Sequence, residues 1–221
     1  MLSPRLTFVV VSFTLFSFAA ESFAQEVLTE SFEVPDTTDF TVFSASETIV
    51  TADNTWLVVA ESVDLYEAAA RVEAAAFDGA QAIDLAGSPG AGVIEATFPT
   101  TPGRTYTLTF YYARNDLLGA NVADAQVDVE GSTSLLSSVV QHDPGVHLFN
   151  SYQQFSDTFV ADDAQAVLRF TSLEVGSAGV TIDAISITAN PVVPILSGPA
   201  LITLTSALSV LGYASIRRSR V

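Results

Sequence analysis

Carboxylates, tyrosines and two histidines carry what chemistry this sequence offers. Asp183 stands in Ile182-Asp-Ala-Ile-Ser-Ile187. It shares strand parity with Ile185 and Ile187, so if those face inward its carboxylate starts near the core and needs a partner. Calcium is one candidate partner, because it takes hard oxygen ligands such as carboxylates and carbonyls. An arginine, or an exposed edge position, is the other outcome. Tyr111 lies on the threonine face of Arg104-Thr-Tyr-Thr-Leu-Thr-Phe-Tyr-Tyr112. An exposed aromatic there can stack on the C–H face of a sugar ring. Trp56, Tyr66 and Tyr152 are further carbohydrate-binding candidates, although core burial is the commoner fate of an aromatic in a sandwich. His142 and His147 flank Asp143-Pro-Gly145 at a spacing that would suit a metal, but beside that turn they read as solvent-exposed loop residues.

Catalytic signatures are absent from the sequence. It has no Gly-x-Ser-x-Gly, no His-Glu-x-x-His and no P-loop. Gly87-Ser-Pro-Gly-Ala-Gly92 looks superficially like a dinucleotide fingerprint, yet a strand follows it, so no helix N-terminus is there to receive a phosphate. It reads as a turn. No spacing singles out a carboxylate pair suited to glycoside hydrolysis. With no cysteine, disulfide frameworks, thiolate zinc sites and thiol catalysis are excluded together.

Charge narrows the partners. The formal net charge is −17 over 221 residues. All basic residues are arginines, and Arg5, Arg217, Arg218 and Arg220 lie in the terminal segments. Only Arg71, Arg104, Arg114 and Arg169 offset the acids of the middle. Such a surface has no basic cluster to displace counterions from phosphates, so nucleic acid is excluded as a partner. Docking on anionic lipid through charge is disfavoured for the same reason.

The elements that must position these residues are strands. Tyr106, Leu108, Phe110 and Tyr112 share one face of their segment, and Thr105, Thr107, Thr109 and Tyr111 the other. Ala164, Ala166, Leu168 and Phe170 alternate in the same way, as do Gly92, Ile94, Ala96 and Phe98. Further strands are expected near 26–33, 55–65, 81–86, 123–130, 133–140, 152–160 and 179–188. Asp78-Gly79, Gly87 to Gly90, Pro102-Gly103, Glu130-Gly131 and Asp143 to Gly145 supply turns between them. Many short strands without a βαβ rhythm make an all-β antiparallel β-sandwich or jelly roll over residues 25–190. Glu67 to Ala76 is rich in alanine and reads as a loop with a helical turn or two.

Both ends read as addresses. Residues 1–24 combine Arg5, an apolar run from Leu6 to Ala20, and Ser22-Phe23-Ala24 before Gln25, the pattern of a secretory signal peptide. Residues 191–221 hold Pro191 and Pro194, then an uncharged stretch from Ile195 to Ile216, then Arg217, Arg218 and Arg220. That stretch would make roughly 33 Å of helix, enough to cross a bilayer. The arginines would stay cytoplasmic and leave the middle domain outside. Val193-Pro-Ile-Leu-Ser197, the apolar stretch and the arginine cluster together resemble C-terminal sorting signals of the IPTL-CTERM and PEP-CTERM type. That resemblance implies export and removal of the tail by a membrane sorting protease.

The middle carries a second resemblance. Ser31-Phe-Glu-Val-Pro35, Ala76-Phe-Asp-Gly-Ala-Gln-Ala-Ile-Asp-Leu-Ala-Gly87, Thr97 to Phe110, Leu168-Arg-Phe-Thr-Ser-Leu173 and Ile182 to Ile187 occur in that order. Together they resemble the DUF642 and choice-of-anchor group of extracellular domains. The resemblance implies a galactose-binding-like jelly roll associated with cell walls and polysaccharides. It also implies a structural Ca2+ held by Glu33 of the opening Phe-Glu and Asp183 of the last strand. The expectation is a non-catalytic exported bacterial protein of the cell envelope or extracellular matrix that binds polysaccharide. A structural or adhesive surface protein without a glycan site is the alternative.

Overall fold

The computed structural model describes residues 24–69, 76–115, 121–143 and 151–191. The expected signal peptide and tail helix fall on residues 1–23 and 192–221, outside the described residues, as do residues 70–75 of the alanine-rich segment. Among the described residues no helix is long and apolar enough to cross a membrane.

The described chain is an all-β antiparallel sandwich of two sheets. One sheet holds β1 (Gln25–Glu30), β2 (Phe40–Ser44), β5 (Ser62–Glu67), β6 (Gln81–Asp84), β8 (Thr105–Arg114), β11 (Gln153–Val160) and β13 (Val180–Ala189). The other holds β3 (Thr48–Val50), β4 (Thr55–Ala60), β7 (Val93–Pro99), β9 (Ala123–Glu130), β10 (Ser134–His142) and β12 (Gln165–Ser172). The first runs β11-β8-β13-β6-β5-β2, with β1 also on β13; the second runs β10-β9-β12-β7-β4-β3. Most long strands bury one row only, so their register is fixed by the need to bury that row. Tyr106, Leu108 and Phe110 of β8 face Ala166, Leu168 and Phe170 of β12 across the interior, as the alternation predicts.

Two differences from the expected strands have local causes. The stretch 55–65 is two strands rather than one. Glu61 adopts a left-handed φ of 51° and passes the chain from one sheet to the other between β4 and β5. The short β2 and β3 were not expected. Neither is long enough to display a period, and each lies at a sheet edge.

The interior is tied across the sheets by one buried acid. Glu30 ends β1, and its Oε2 accepts from Trp56 Nε1 at 3.0 Å, Thr51 Oγ1 at 2.6 Å and Asn54 Nδ2 at 3.1 Å. Its Oε1 accepts the Phe32 amide at 2.9 Å and so steadies a residue held at a left-handed φ of 56°. The acceptor lies on the seven-stranded sheet, and Thr51, Asn54 and Trp56 belong to the β3–β4 hairpin of the other. Trp56 is fully buried between Phe32 and Phe170, with ring centroids 5.5 and 6.2 Å away. Glu30→Ala leaves the indole N–H buried without its acceptor and leaves the Thr51 hydroxyl only the longer contact to the Asn54 carbonyl oxygen. It should cost about 2–4 kcal/mol in denaturant unfolding, and Glu30→Gln less. Equal midpoints for wild type and Glu30→Ala would contradict this role.

Candidate functional site

The outer face of the seven-stranded sheet is shaped by one irregularity in β13. Along β8 the register runs Ile182↔Tyr112 and Asp183↔Tyr111, then shifts, and resumes at Ser186↔Thr109. The extra residue makes a β-bulge, with Ala184 at a φ of 48°. On the opposite edge, β6 pairs with Thr181 and Ile182, whereas β1 pairs with Ile185 to Ala189. The bulge sits where one neighbour gives way to the other.

The bulge corrects the parity argument for Asp183. Ile182, Ile185 and Ile187 all belong to the core, but Asp183 is paired opposite Tyr111 and shares the outer face. It is nonetheless fully buried, because the segment after Ala76 covers it. Asp183 Oδ2 accepts the amides of Phe77 at 2.7 Å and Asp78 at 2.9 Å, and Oδ1 accepts that of Ala184 at 2.6 Å. Glu33 holds the other end of the same segment. Its carboxylate accepts the Ala80 amide at 3.0 and 3.1 Å and the Gln81 amide at 2.9 Å. Gly79 is required between them: its φ is 72°, and a Cβ there would strike the Glu33 carboxyl group.

Glu33 and Asp183 therefore meet on one segment, Phe77 to Gln81. Their oxygens face amide N–H groups, and an N–H donor cannot ligate a cation. Among the described residues no group of three or more His, Asp or Glu side chains is arranged to hold a metal. Backbone amides meet both of the carboxylates assigned to the ion.

Deeper in the same face lies a second buried acid. Asp84 of β6 accepts the Ala86 amide at 2.8 Å, Asn115 Nδ2 at 2.7 Å and the Gly179 amide at 3.4 Å. Burial pushes both Asp84 and Asp183 up to about 7, against the pull of their amide donors. Tyr66 is buried beside them and donates to Thr181 Oγ1 at 3.1 Å. It shares a side-chain hydrogen bond with Tyr152, and burial raises both phenols.

The aromatics expected to bind sugar divide accordingly. Trp56 is a core residue and offers no face to a ligand, because the sheet turns its row inward. Tyr66 is enclosed as well, at 4% exposure. Tyr111 and Tyr152 do converge at the surface, but around a residue the sequence reading passed over. The Phe77 ring stacks on Tyr111 at 3.6 Å and 12°, and meets Tyr152 at 5.6 Å and 57°. Phe77 itself is 45% exposed. One face of Tyr111 is thus taken, and Phe77 is the ring presented outward. The available signal was its place directly before the Asp78-Gly79 turn.

Two further readings meet the structure here. Gly87 to Gly92 is a turn leading into β7, as expected. His142 is not an exposed turn residue. It closes β10, is fully buried and sets Nε2 3.0 Å from the Ser151 carbonyl oxygen. His147 lies outside the described residues.

The family model described as a protein of unknown function, DUF642, matches residues 25–188, and the chain belongs to that family. No curated protein matches it. Among solved structures it is similar to the CBM22-1 xylan-binding domain of Xyn10C from Paenibacillus barcinonensis. Identity there is 14% over 77% of this chain and 97% of that one, with a TM-score of 0.44. TmCBM61, solved with β-1,4-galactotriose, gives 12% identity over 75% and 99%, with a TM-score of 0.48. The K2 cleaved adhesin domain of Lys-gingipain gives 14% over 74% and 98%, with a TM-score of 0.43. Likenesses this distant carry no ligand across to this chain.

The raised acids set a pH dependence. In the folded state Asp84 and Asp183 hold protons up to about 7, whereas unfolded they release them near 3.8. The folded state therefore binds more protons across that window, and stability falls as pH rises through it. The melting temperature should drop by several degrees from pH 5 to pH 8. Asp84→Asn and Asp183→Asn should each lower it overall and flatten the slope. A wild-type protein that melts higher at pH 8, or an unchanged slope in both variants, would contradict the assignment.

Proposed function

We propose that this DUF642 domain is a non-catalytic glycan-binding module of an exported cell-envelope or extracellular-matrix protein. The observation that carries the reading is the exposed Phe77 ring, stacked on Tyr111 and tethered through its own amide to Asp183. An aromatic face held in place before binding stacks on pyranose C–H groups without an ordering cost at the moment of contact. A free side chain on a mobile loop would lose part of that gain.

Hydrolysis finds less support. Asp84 and Asp183 have the raised pKa of a general acid. Yet both are buried, at 2% and 0% exposure, and their oxygens accept hydrogen bonds from the fold itself. Their use is to hold loops.

The ends of the sequence support the exported part of the reading. Residues 1–24 serve as a signal peptide, 25–190 as a galactose-binding-like jelly roll, and 191–221 as a sorting signal. The latter's helix holds the protein in the membrane until a sorting protease acts. Mass spectrometry of the exported protein should then find Gln25 or a near neighbour at the N-terminus, and an intact Met1 would contradict export.

A glycan array probed with the purified full-length protein tests the binding. Phe77→Ala should weaken the best array ligand by at least about tenfold. Its melting temperature should change little, because the ring is half exposed. Binding unaffected by Phe77→Ala would remove the platform. Absence of any glycan ligand would leave the structural or adhesive alternative.

A further inference from the structure

Resting on the glycan-binding reading, we infer that the Phe77 ring is one end of a longer subsite, which runs down β8 over two rows of hydroxyl groups and takes a linear, uncharged polysaccharide chain. Tyr111, on which Phe77 stacks, shares the outer face of β8 with Thr109 and Thr107, because Tyr106, Leu108 and Phe110 fill the inner row. Thr109 is paired opposite Ser156 of β11 and Ser186 of β13, and Thr107 opposite Thr158 and Thr188. Ser186 and Thr188 alternate with the core residues Ile185 and Ile187. Ser156 and Thr158 lie between Phe155 and Phe159, which pack on the same core. The six hydroxyls therefore make two rows of three on the outer face. The rows lie roughly 7 and 14 Å from Tyr111 along the strand, and each is roughly 10 Å wide. Beyond β13, β1 continues the first row with Thr29 and ends the second at Glu26.

The donors and acceptors of this face decide what it can hold. A hydroxyl supplies one donor and two acceptor positions. Thr107 spends its donor on Asn190 Oδ1 at 2.8 Å, and Ser186 and Thr188 share one bond at 3.3 Å. Thr109, Ser156 and Thr158 make no side-chain hydrogen bond among the described residues. Ser156 and Thr158 are exposed, and the other four are half-buried. None of the six is charged, in a chain of net charge −17. Neutral donors and acceptors thus follow one another at strand spacing beside an apolar ring. A sugar chain presents the matching set, hydroxyls at the ring edges and C–H groups on the ring faces. Each such bond is worth little alone, because water competes for both partners, so the gain comes from several made together. A disaccharide on Phe77 stops short of the second row, whereas a hexasaccharide runs past both.

Titration calorimetry of the full-length protein tests this with β-1,4-linked glucose, xylose and mannose oligomers of two and six units. For a backbone that binds, the hexamer should bind at least about tenfold tighter than the dimer. Low and physiological salt should give the same affinity, because no ion pair is formed. The double variant Thr109→Val, Thr158→Val removes a hydroxyl from each row and keeps branched side chains that suit a strand. It should bring the hexamer to within about threefold of the dimer, with the melting temperature and the dimer affinity unchanged. Thr109→Ser, Thr158→Ser restores the hydroxyls and should keep the wild-type preference. A hexamer no tighter than the dimer, or a preference that survives in the valine variant, overturns the inference. Loss of the preference in the serine variant, or a hexamer affinity that falls with salt, does the same. In each of those cases binding that still requires Phe77 leaves the platform standing. A length preference that persists in Phe77→Ala separates the rows from the ring and overturns the continuous subsite. Absence of binding to every oligomer overturns both the subsite and the platform.

Discussion

Everything presented on the outer face depends on how Asp183 resolves a conflict within β13. Two strands share one edge of it. β6 takes the first residues and β1 the rest, and the backbone absorbs the change of neighbour with one extra residue at Ala184. The bulge turns Asp183 out of the core row and places its carboxylate under the Phe77–Gln81 segment. There it replaces a missing stretch of ladder, accepting two amides from a segment that belongs to no strand. Hydrogen bonds of this kind are worth about 0.5–1.5 kcal/mol each, and together they fix a short surface segment. Glu33 does the same at the far end. The Phe77 ring is aimed by these contacts rather than by packing alone.

The acidic composition takes on a structural meaning in this light. Arg169 serves both Glu95 and Glu130. Backbone amides take the role that lysines play in other chains. Asp84 receives Ala86 and Gly179, and Asp162 receives Ser132 and Thr133. The Thr133 hydroxyl and these amides hold Asp162 below the usual carboxylate range. Loops are thus secured by contacts that need no basic partner, and the remaining carboxylates are left to set the field at the surface.

Much of the fold was legible because most long strands bury one row. Tyr106 to Tyr112 and Ala123 to Glu130 show their inward residues by alternation alone, and the structure keeps those rows. The bulge was not legible. Ala184 carries none of the marks of a left-handed position, as a glycine or asparagine would, and without it the parity of Asp183 with Ile185 and Ile187 points the wrong way. Trp56 was misjudged for a different reason: in Thr55-Trp-Leu-Val-Val-Ala60 both rows are apolar, so the pattern gives no direction. A carboxylate close to a turn reads alike whether amides or calcium will fill it. Glu33 and Asp183 were identified as important positions, and only geometry shows that amides face them. Phe77 escaped because its exposure depends on both of those contacts at once.

Amide hydrogen exchange at Phe77 and Asp78 tests the central claim most directly, because it reads the Asp183 contacts in solution without assuming a ligand. In the wild-type protein both amides should be protected by orders of magnitude relative to an unstructured chain. Asp183→Ala should release both while Leu108 in β8 stays protected. Free exchange of Phe77 and Asp78 in the wild type, or protection that survives Asp183→Ala, would contradict the account of how this face is built.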